Sequence, residues 1–370
     1  MRIGVPTEIK NRETRVALTP AGAASLVAAG HSVVVQEGAG LGSMMQDAAY
    51  ADAGAAIVTA QQAWASDLVL KVKEPVPSEY PLLAGQTLFT FLHLSADRAL
   101  AEALVSAGTT GFSYDTVQLA DGSLPLLTPM SVVAGRLAAL AGAYHLLSSQ
   151  GGRGVLLSGV PGAGDVAAVD GARVTVIGAG VAGTQALDQA VAMGARVAVL
   201  DLAEDRLRSV DKAYRHTGRV RTEVSTHEAV EREVIESDLV IGAVLVPGRR
   251  APVVVTSEMV ARMPHGSVLV DIAIDQGGCF EDSRPTTHDD PVFRVANSLM
   301  YCVANMPGAV GVTSTHALTN ATLPYVEALA GGWEGAVAAD AALALGLNVA
   351  GGQVRHPAIA EAFPDLPRAG

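Results

Sequence analysis

The sequence predicts an α/β protein of two Rossmann-like, doubly wound domains, separated by a cleft and linked by long helices. Three observations carry this. Short apolar runs alternate with helix-period segments in two successive series, the pattern of βαβ units on a parallel sheet. The second series opens on a strand that runs into Gly-x-Gly-x-x-Gly and then into a helix. The chain has 370 residues, 49% of them hydrophobic, too long for one ordinary core and apolar enough to fill two.

In the first series, residues 2–5, 32–36, 55–58, 68–72, 87–92 and 110–113 read as strands. Between them lie helical patterns such as 20–29, which Thr19 can cap, Pro20 can begin and Gly30 can end. A long helix then starts at Thr128-Pro129, again a cap followed by proline. Val133, Leu137, Leu140, Tyr144 and Leu147 recur along it at three- and four-residue spacing and give it one apolar face. The glycine-rich stretch 151–164 ends it. The second series has strands at 173–177, 197–200, 239–243 and 268–272. Past Val303 the chain turns helical again, from about 315 to 345, before an irregular, proline-containing tail. One domain is therefore split: residues 1–128 with 307–370 form a substrate and catalytic domain, and residues 129–306 form a dinucleotide-binding domain inserted into it.

Composition excludes several classes. The net charge of -12 and the absence of a Lys/Arg cluster argue against a nucleic-acid partner; the run 215–221 is interrupted. The most membrane-like stretch, 131–147, carries Arg136 and His145 and is short of a span. Residues 1–6 read as a strand rather than a secretory leader. Cys279 and Cys302 read as free buried thiols, not as a disulfide or metal pair, and no metal is expected. A soluble cytoplasmic protein is the expectation.

The dinucleotide fingerprint is Arg173-Val-Thr-Val-Ile-Gly178-Ala-Gly180-Val181-Ala-Gly183. Its first glycine allows a tight turn, the second a close approach of pyrophosphate, and the third close packing of helix on strand. The pyrophosphate then sits at a helix N-terminus, where unpaired N–H groups and the helix dipole favour an anion. The next strand ends on Asp201, 18 residues past Gly183. An acid there accepts hydrogen bonds from the adenosine ribose and repels a 2′-phosphate, so NAD is favoured over NADP. A second cluster, Gly38-Ala-Gly40-Leu-Gly42, lacks the onward helix and the acid and reads as a loop.

Ligands of open α/β sheets bind at the carboxyl ends of the strands, and several polar residues fall there. Lys71 and Lys73 close one strand with a spacing that puts them on one face. His93 follows the run 87–92, and Asp271 and Asp275 flank the end of 268–272. Each has an ordinary structural reading as a solvated lysine, a satisfied histidine or a turn cap. Together they supply what hydride transfer from an amino acid needs: a cation for the carboxylate and an acid–base group at the reacting carbon. Arg15 is a further cation, with a fork suited to a carboxylate.

These residues lie in longer matching segments. Residues 2–10 and 13–20, Leu70-Lys-Val-Lys-Glu-Pro75, Phe89-Thr-Phe-Leu-His-Leu94, Leu126-Leu-Thr-Pro-Met-Ser131, 268–279, Tyr301-Cys-Val-Ala-Asn-Met-Pro307 and Ala317-Leu-Thr-Asn-Ala-Thr322 resemble the alanine dehydrogenase family, within the superfamily it shares with transhydrogenase. The resemblance implies NAD-dependent, reversible oxidative deamination of L-alanine to pyruvate and ammonia, a role in amino-acid catabolism and a homohexamer. It implies Arg15 and Lys73 on the substrate carboxylate, His93 as acid–base and Asp275 as its partner. It places Ser131, Asp201, Arg206, Ser225, Leu245, Ile272, Asp275, Asn305 and Met306 around the cofactor, with Met130 closing over it. Closure of the lobes would then exclude water during hydride transfer. The alternatives are the NAD(H)-binding component of a proton-pumping transhydrogenase, a relative acting on a larger substrate, and a silent NAD-binding protein. The chain departs from the family's pattern at 159–170, at Gly311-Val312 and after 345.

Overall fold

The computed structural model describes residues 1–165, 167–244 and 251–368. They form two compact units, Met1–Met130 with Gly308–Gly370, and Ser131–Pro307. The strands of the first unit are β1 Arg2–Val5, β2 Ser32–Gln36, β3 Ala56–Val58, β4 Leu68–Leu70, β5 Thr87–Thr90 and β6 Thr110–Ser113. The second unit holds β7 Arg173–Ile177, β8 Arg196–Asp201, β9 Val220–Val224, β10 Leu239–Gly242, β11 Val268–Asp271, β12 Val292–Val295 and β13 Ser298–Tyr301. The chain then returns to the first unit with β14 Leu347–Ala350 and β15 Gln353–Val354.

The first sheet is ordered β15-β14-β6-β5-β4-β1-β2-β3 and the second β12-β13-β11-β10-β7-β8-β9. Pairing is parallel throughout, except where β14, β15 and β12 add antiparallel edges. Each unit therefore contains the same doubly wound six-strand core. Its winding reverses between β1 and β4 in the first unit and between β7 and β10 in the second, the switch points where such sheets bind ligands.

β4 and β5 stop at Leu70 and Thr90, two residues short of the expected ends. Beyond them the chain leaves the regular sheet carrying Lys71 to Lys73 and Phe91 to His93. The helix Pro20–Ala28 begins as its signals require: the Thr19 hydroxyl accepts the Gly22 N–H at 3.1 Å, and Gly30 ends it at φ 87°.

The long helix, Thr128–His145, corrects two expectations. Thr128 is no cap, because its N–H and its hydroxyl both donate to the Leu124 carbonyl. Of the expected face Val133 is buried and Leu137 packs on the core, beside Ala134, Ala138, Ala139 and Gly142, while Leu140, Tyr144 and Leu147 are exposed. Close approach decides this. A methyl group at Gly135 would lie 2.1 Å from the Ala182 carbonyl oxygen, and one at Gly142 would lie 2.5 Å from the Leu239 side chain. Only small residues fit at these two contacts, and Leu140, Tyr144 and Leu147 lie outward.

The tail is also not irregular: after the helix Gly311–Ala330 and two short helices come β14, β15 and the helix Pro357–Ala362. Both cysteines are buried and free, and no helix among the described residues is long and apolar enough to cross a membrane.

At the first switch point the Lys71 Nζ, almost wholly buried, lies 3.2 Å from Glu8 Oε2 and 3.0 Å from Glu79 Oε1. Burial favours the neutral amine, but the two carboxylates more than offset it and hold the lysine above its ordinary pKa. Lys71 is thus a structural ion and not a ligand-facing cation. Lys71→Met would strand two buried carboxylates at a cost of about 3–5 kcal/mol. At roughly 2–4 °C per kcal/mol for a unit of this size, Tm is expected to fall by about 6–20 °C in calorimetry. An unchanged Tm would show that the triad carries no stability.

Candidate active site

In the first unit the functional side chains collect beyond the carboxyl ends of four neighbouring strands, β1, β4, β5 and β6. Arg15 lies on the extended segment after β1. The Thr14 hydroxyl donates to the Gly308 carbonyl, Ser43 donates to the Thr14 carbonyl at 2.8 Å, and the Val16 N–H meets Thr315 Oγ1 at 3.1 Å. Gly42 and Gly311 allow this wedge: a methyl group at either would lie within 2.6 Å of Thr14. The glycine cluster read as a loop is therefore the support of the Arg15 segment.

Arg15 is itself buried. Its Nε and Nη2 donate to the two oxygens of Glu13 at 2.7 and 2.5 Å, and its Nη1 lies 3.1 Å from the Met130 sulfur. The bidentate edge expected to grip a substrate is thus engaged by Glu13, which sequence reasoning missed. Met130, expected over the cofactor, belongs to the first unit and packs on Arg15.

Lys73 Nζ is buried 3.8 Å from Glu74 Oε2, and Lys10 pairs with the other Glu74 oxygen. Burial pushes the Glu74 pKa up, but Lys73, Lys10 and His93 outweigh it and hold the carboxyl below its usual range. Its Oε2 is buried without a hydrogen-bond partner. Glu8 ties this edge together by accepting the N–H groups of Val72 at 2.6 Å and Lys73 at 3.4 Å.

His93 occupies the left-handed region at φ 47° and ψ 36°, uncommon for a side chain of its size. Its imidazole is partly exposed, stacks on Phe91 with the planes 3° apart, and places Nδ1 3.6 Å from Asp115 Oδ2. Asp115 is the third carboxylate that sequence reasoning missed. It follows β6 without any motif, and only the topology brings it beside His93.

In the second unit the glycine turn joins β7 to the helix Val181–Ala192. Gly178 takes φ 103°, and a methyl group there would lie 2.5 Å from the Ala243 carbonyl oxygen. A methyl group at Gly183 would lie 1.7 Å from the Gly178 carbonyl oxygen, whereas at Gly180 it meets nothing within 4 Å. Gly180 caps the helix, and among the described residues no side-chain cap hydrogen bond is made to its first turn. An open approach to uncovered donors at a helix N-terminus fits a dinucleotide pyrophosphate.

Asp201 is buried. Its Oδ2 accepts the Ala179 N–H at 2.6 Å and its Oδ1 accepts the Ala203 N–H at 2.7 Å. Arg206, well exposed, lies 3.6 Å from Oδ2. The Ser225 N–H donates to the Asp201 carbonyl at 3.0 Å.

Asp271 is fully buried and caps its own turn, accepting the Ala273 and Cys279 N–H groups at 2.9 Å each and the Ser283 hydroxyl at 2.5 Å. Burial pushes its pKa up and these donors oppose it. It is structural, while Asp275, one turn later, is exposed. Ile272 and Ser131 are half-buried. Asn305 sits at φ 77° with its carbonyl accepting from His288 Nε2 at 3.1 Å. Met306 corrects its expectation in part: its side chain is packed in the core of this unit and presents little surface to a ligand. Leu245 lies outside the described residues.

Comparison with known proteins covers both units. The family model "Alanine dehydrogenase/PNT, N-terminal domain" matches residues 4–134, and "Alanine dehydrogenase/PNT, C-terminal domain" matches residues 138–357. The alanine dehydrogenase of Mycolicibacterium smegmatis is 56% identical over 99% of this chain and 98% of its own length. A solved L-alanine dehydrogenase superposes with a TM-score of 0.92 at 49% identity, covering 99% of each chain. A transhydrogenase from Sinorhizobium meliloti superposes at 0.80 with 26% identity, over 97% of this chain and 100% of that one.

The glycine geometry makes a paired prediction. Gly180→Ala is expected to fold with an unchanged Tm and to lose NADH affinity by fluorescence titration, since its methyl group meets only the incoming phosphates. Gly183→Ala is expected to lose both stability and binding. Normal NADH affinity in folded Gly180→Ala would remove this turn from the cofactor site.

Proposed function

The chain belongs to the alanine dehydrogenase/PNT family, and from that premise we propose that it is an NAD-dependent alanine dehydrogenase, converting L-alanine, NAD and water to pyruvate, ammonium, NADH and a proton. The observation that carries the reading is that Lys73 and His93 flank one half-buried carboxylate, Glu74, at the adjacent ends of β4 and β5. A cation for a substrate carboxylate and an imidazole for its amino group are held side by side there.

When bound, NAD supplies the acceptor for hydride from the amino-acid α-carbon. Gly178, Gly180, Val181 and Gly183 would hold its pyrophosphate, and Asp201 its ribose, with Arg206, Ser225, Leu245, Ile272, Asn305, Ser131 and Met130 as further contacts. Lys73 and Arg15 would bind the substrate carboxylate. His93 would take the proton from the amino group before hydride leaves. It would then pass protons to and from the water that adds to the resulting imine, until ammonia departs. Asp275 is assigned as the partner group on the second unit.

The division of roles proposed for the chain is 1–128 with 307–370 for substrate and 129–306 for cofactor. The proposed assembly is a homohexamer in the cytoplasm, serving amino-acid catabolism. The exposed apolar stripe of Leu140, Tyr144 and Leu147 supports burial against another copy, and light scattering at a single-chain mass would refute the oligomer.

Purified protein is expected to form NADH from L-alanine well ahead of larger L-amino acids; a preference for a larger one would overturn the substrate. Lys73→Met is expected to raise KM for alanine and pyruvate while leaving NADH affinity nearly unchanged. It is a cleaner probe than Arg15→Met, which also takes the bidentate partner from buried Glu13. His93→Ala is expected to fold, bind NADH and lose on the order of 10²–10⁴ in kcat. A near-normal kcat would exclude His93 from the chemistry.

A further inference from the structure

We propose that Asp115, held in place by the returning C-terminal strand, is the positioning residue for His93, so that the segment 346–356 belongs to the acid–base machinery. This rests on the role proposed above for His93.

The geometry supplies both ends of the contact. Asp115 Oδ2 faces His93 Nδ1 at 3.6 Å, longer than a hydrogen bond and short enough to become a charge-assisted one with a shift of a few tenths of an ångström. The Asp115 carboxylate is itself fixed, because its Oδ1 accepts the Ser113 hydroxyl and the Leu92 N–H. Burial pushes its pKa up, but the His93 charge and these donors more than offset that and hold the carboxyl below its usual range. It is therefore a carboxylate at neutral pH. The Phe91 ring, stacked on His93 and set edge-on to Tyr114, fixes the plane of the imidazole. With Nδ1 turned to Asp115, Nε2 is the nitrogen that meets substrate, and the carboxylate stabilises the imidazolium formed there.

The turn carrying Asp115 is pinned by residues more than 200 positions later in the chain. The Ser113 N–H donates to the Gly346 carbonyl at 2.8 Å. Asn348 Nδ2 donates to Thr116 Oγ1 at 2.8 Å and to the Gly346 carbonyl at 3.0 Å, while the Asn348 carbonyl accepts the N–H groups of Arg355 and His356. His356 in turn feels the Asp115 charge. The tail thus continues the sheet of the substrate unit and frames the carboxylate behind the catalytic imidazole.

A double-mutant cycle separates positioning from mere structural support. It compares wild type, His93→Ala, Asp115→Asn and the double variant by kcat for alanine oxidation, KM for alanine, NADH titration and Tm. Asp115→Asn alone is expected to lose about 10–100-fold in kcat, as when the carboxylate partner of a working imidazole is removed, with KM changed less than about twofold. In the His93→Ala background the same substitution is expected to change kcat by less than about twofold. Multiplicative losses would overturn the positioning role while leaving His93 in place. A near-normal His93→Ala would overturn the reading beneath it instead. Should Asp115→Asn fail to fold, the cycle is run with Ser113→Ala, which removes a hydroxyl that holds Asp115, and the same non-additivity is required.

Discussion

The Glu8 carboxylate is the contact on which the polar edge of the substrate unit depends. It leaves β1 at the switch point and receives Val72 N–H, Lys73 N–H and the Lys71 ammonium. A doubly wound sheet opens there because consecutive connections run to opposite sides, so while the Lys71 N–H still meets the Phe89 carbonyl of β5, the Val72 and Lys73 N–H groups turn to Glu8. A carboxylate at that position satisfies the backbone and neutralises a buried lysine at once. Burial still pushes the Glu8 pKa up, Lys71 opposing it, so the pair is held by mutual need rather than by strong attraction. Lys73 takes its place from the same contact. Its main chain is tied to Glu8, which leaves its side chain to reach Glu74.

The second unit solves the matching problem with the opposite sign. There the switch point must offer donors, and Asp201 gathers the turn by accepting from Ala179 and Ala203. The acid read in the sequence as a ribose acceptor is therefore also the clamp of the glycine turn. Each carboxylate oxygen has more than one lone pair, so the two duties are compatible. A substitution at Asp201 confounds them, which is why the glycines are the better probes of cofactor binding.

What was legible in the sequence was whatever depends on local chemistry. The glycine fingerprint could be read because each glycine answers to a contact within a few residues of the turn. The cores of β1, β2 and β6 to β8 announced themselves as apolar runs. The edge strand β3 was read at 55–58, but β9, β14 and β15 were not: β9 alternates with charged residues, and β14 and β15 are short and follow a helical stretch. The long helix misled because its pattern marks where large apolar residues lie, whereas its packing is set by Gly135 and Gly142. The cations and the histidine of the candidate site stood out at strand ends. Their carboxylates, Glu13, Glu74 and Asp115, did not, since an acid in a loop carries no signal until the fold shows what it faces.

Those carboxylates change what the candidate site can do. Lys71 is matched by Glu8 and Glu79, Arg15 by Glu13, and Lys73 and Lys10 by Glu74. Four cations meet four glutamates, so these ion pairs leave no standing excess of positive charge to bind anions indiscriminately. Alanine enters as a zwitterion with no net charge; pyruvate carries one negative charge, and its formation from alanine releases a proton as well as ammonium. In the proposed mechanism His93 is the group that takes up that proton. With Asp115 fixed behind it, imidazolium and carboxylate form a neutral pair, and imidazole with carboxylate a negative one. Proton uptake at His93, as proposed, would add the positive charge that balances the anionic product. The reverse reaction requires the same proton, so with His93 in the role proposed for it one imidazole would serve both directions.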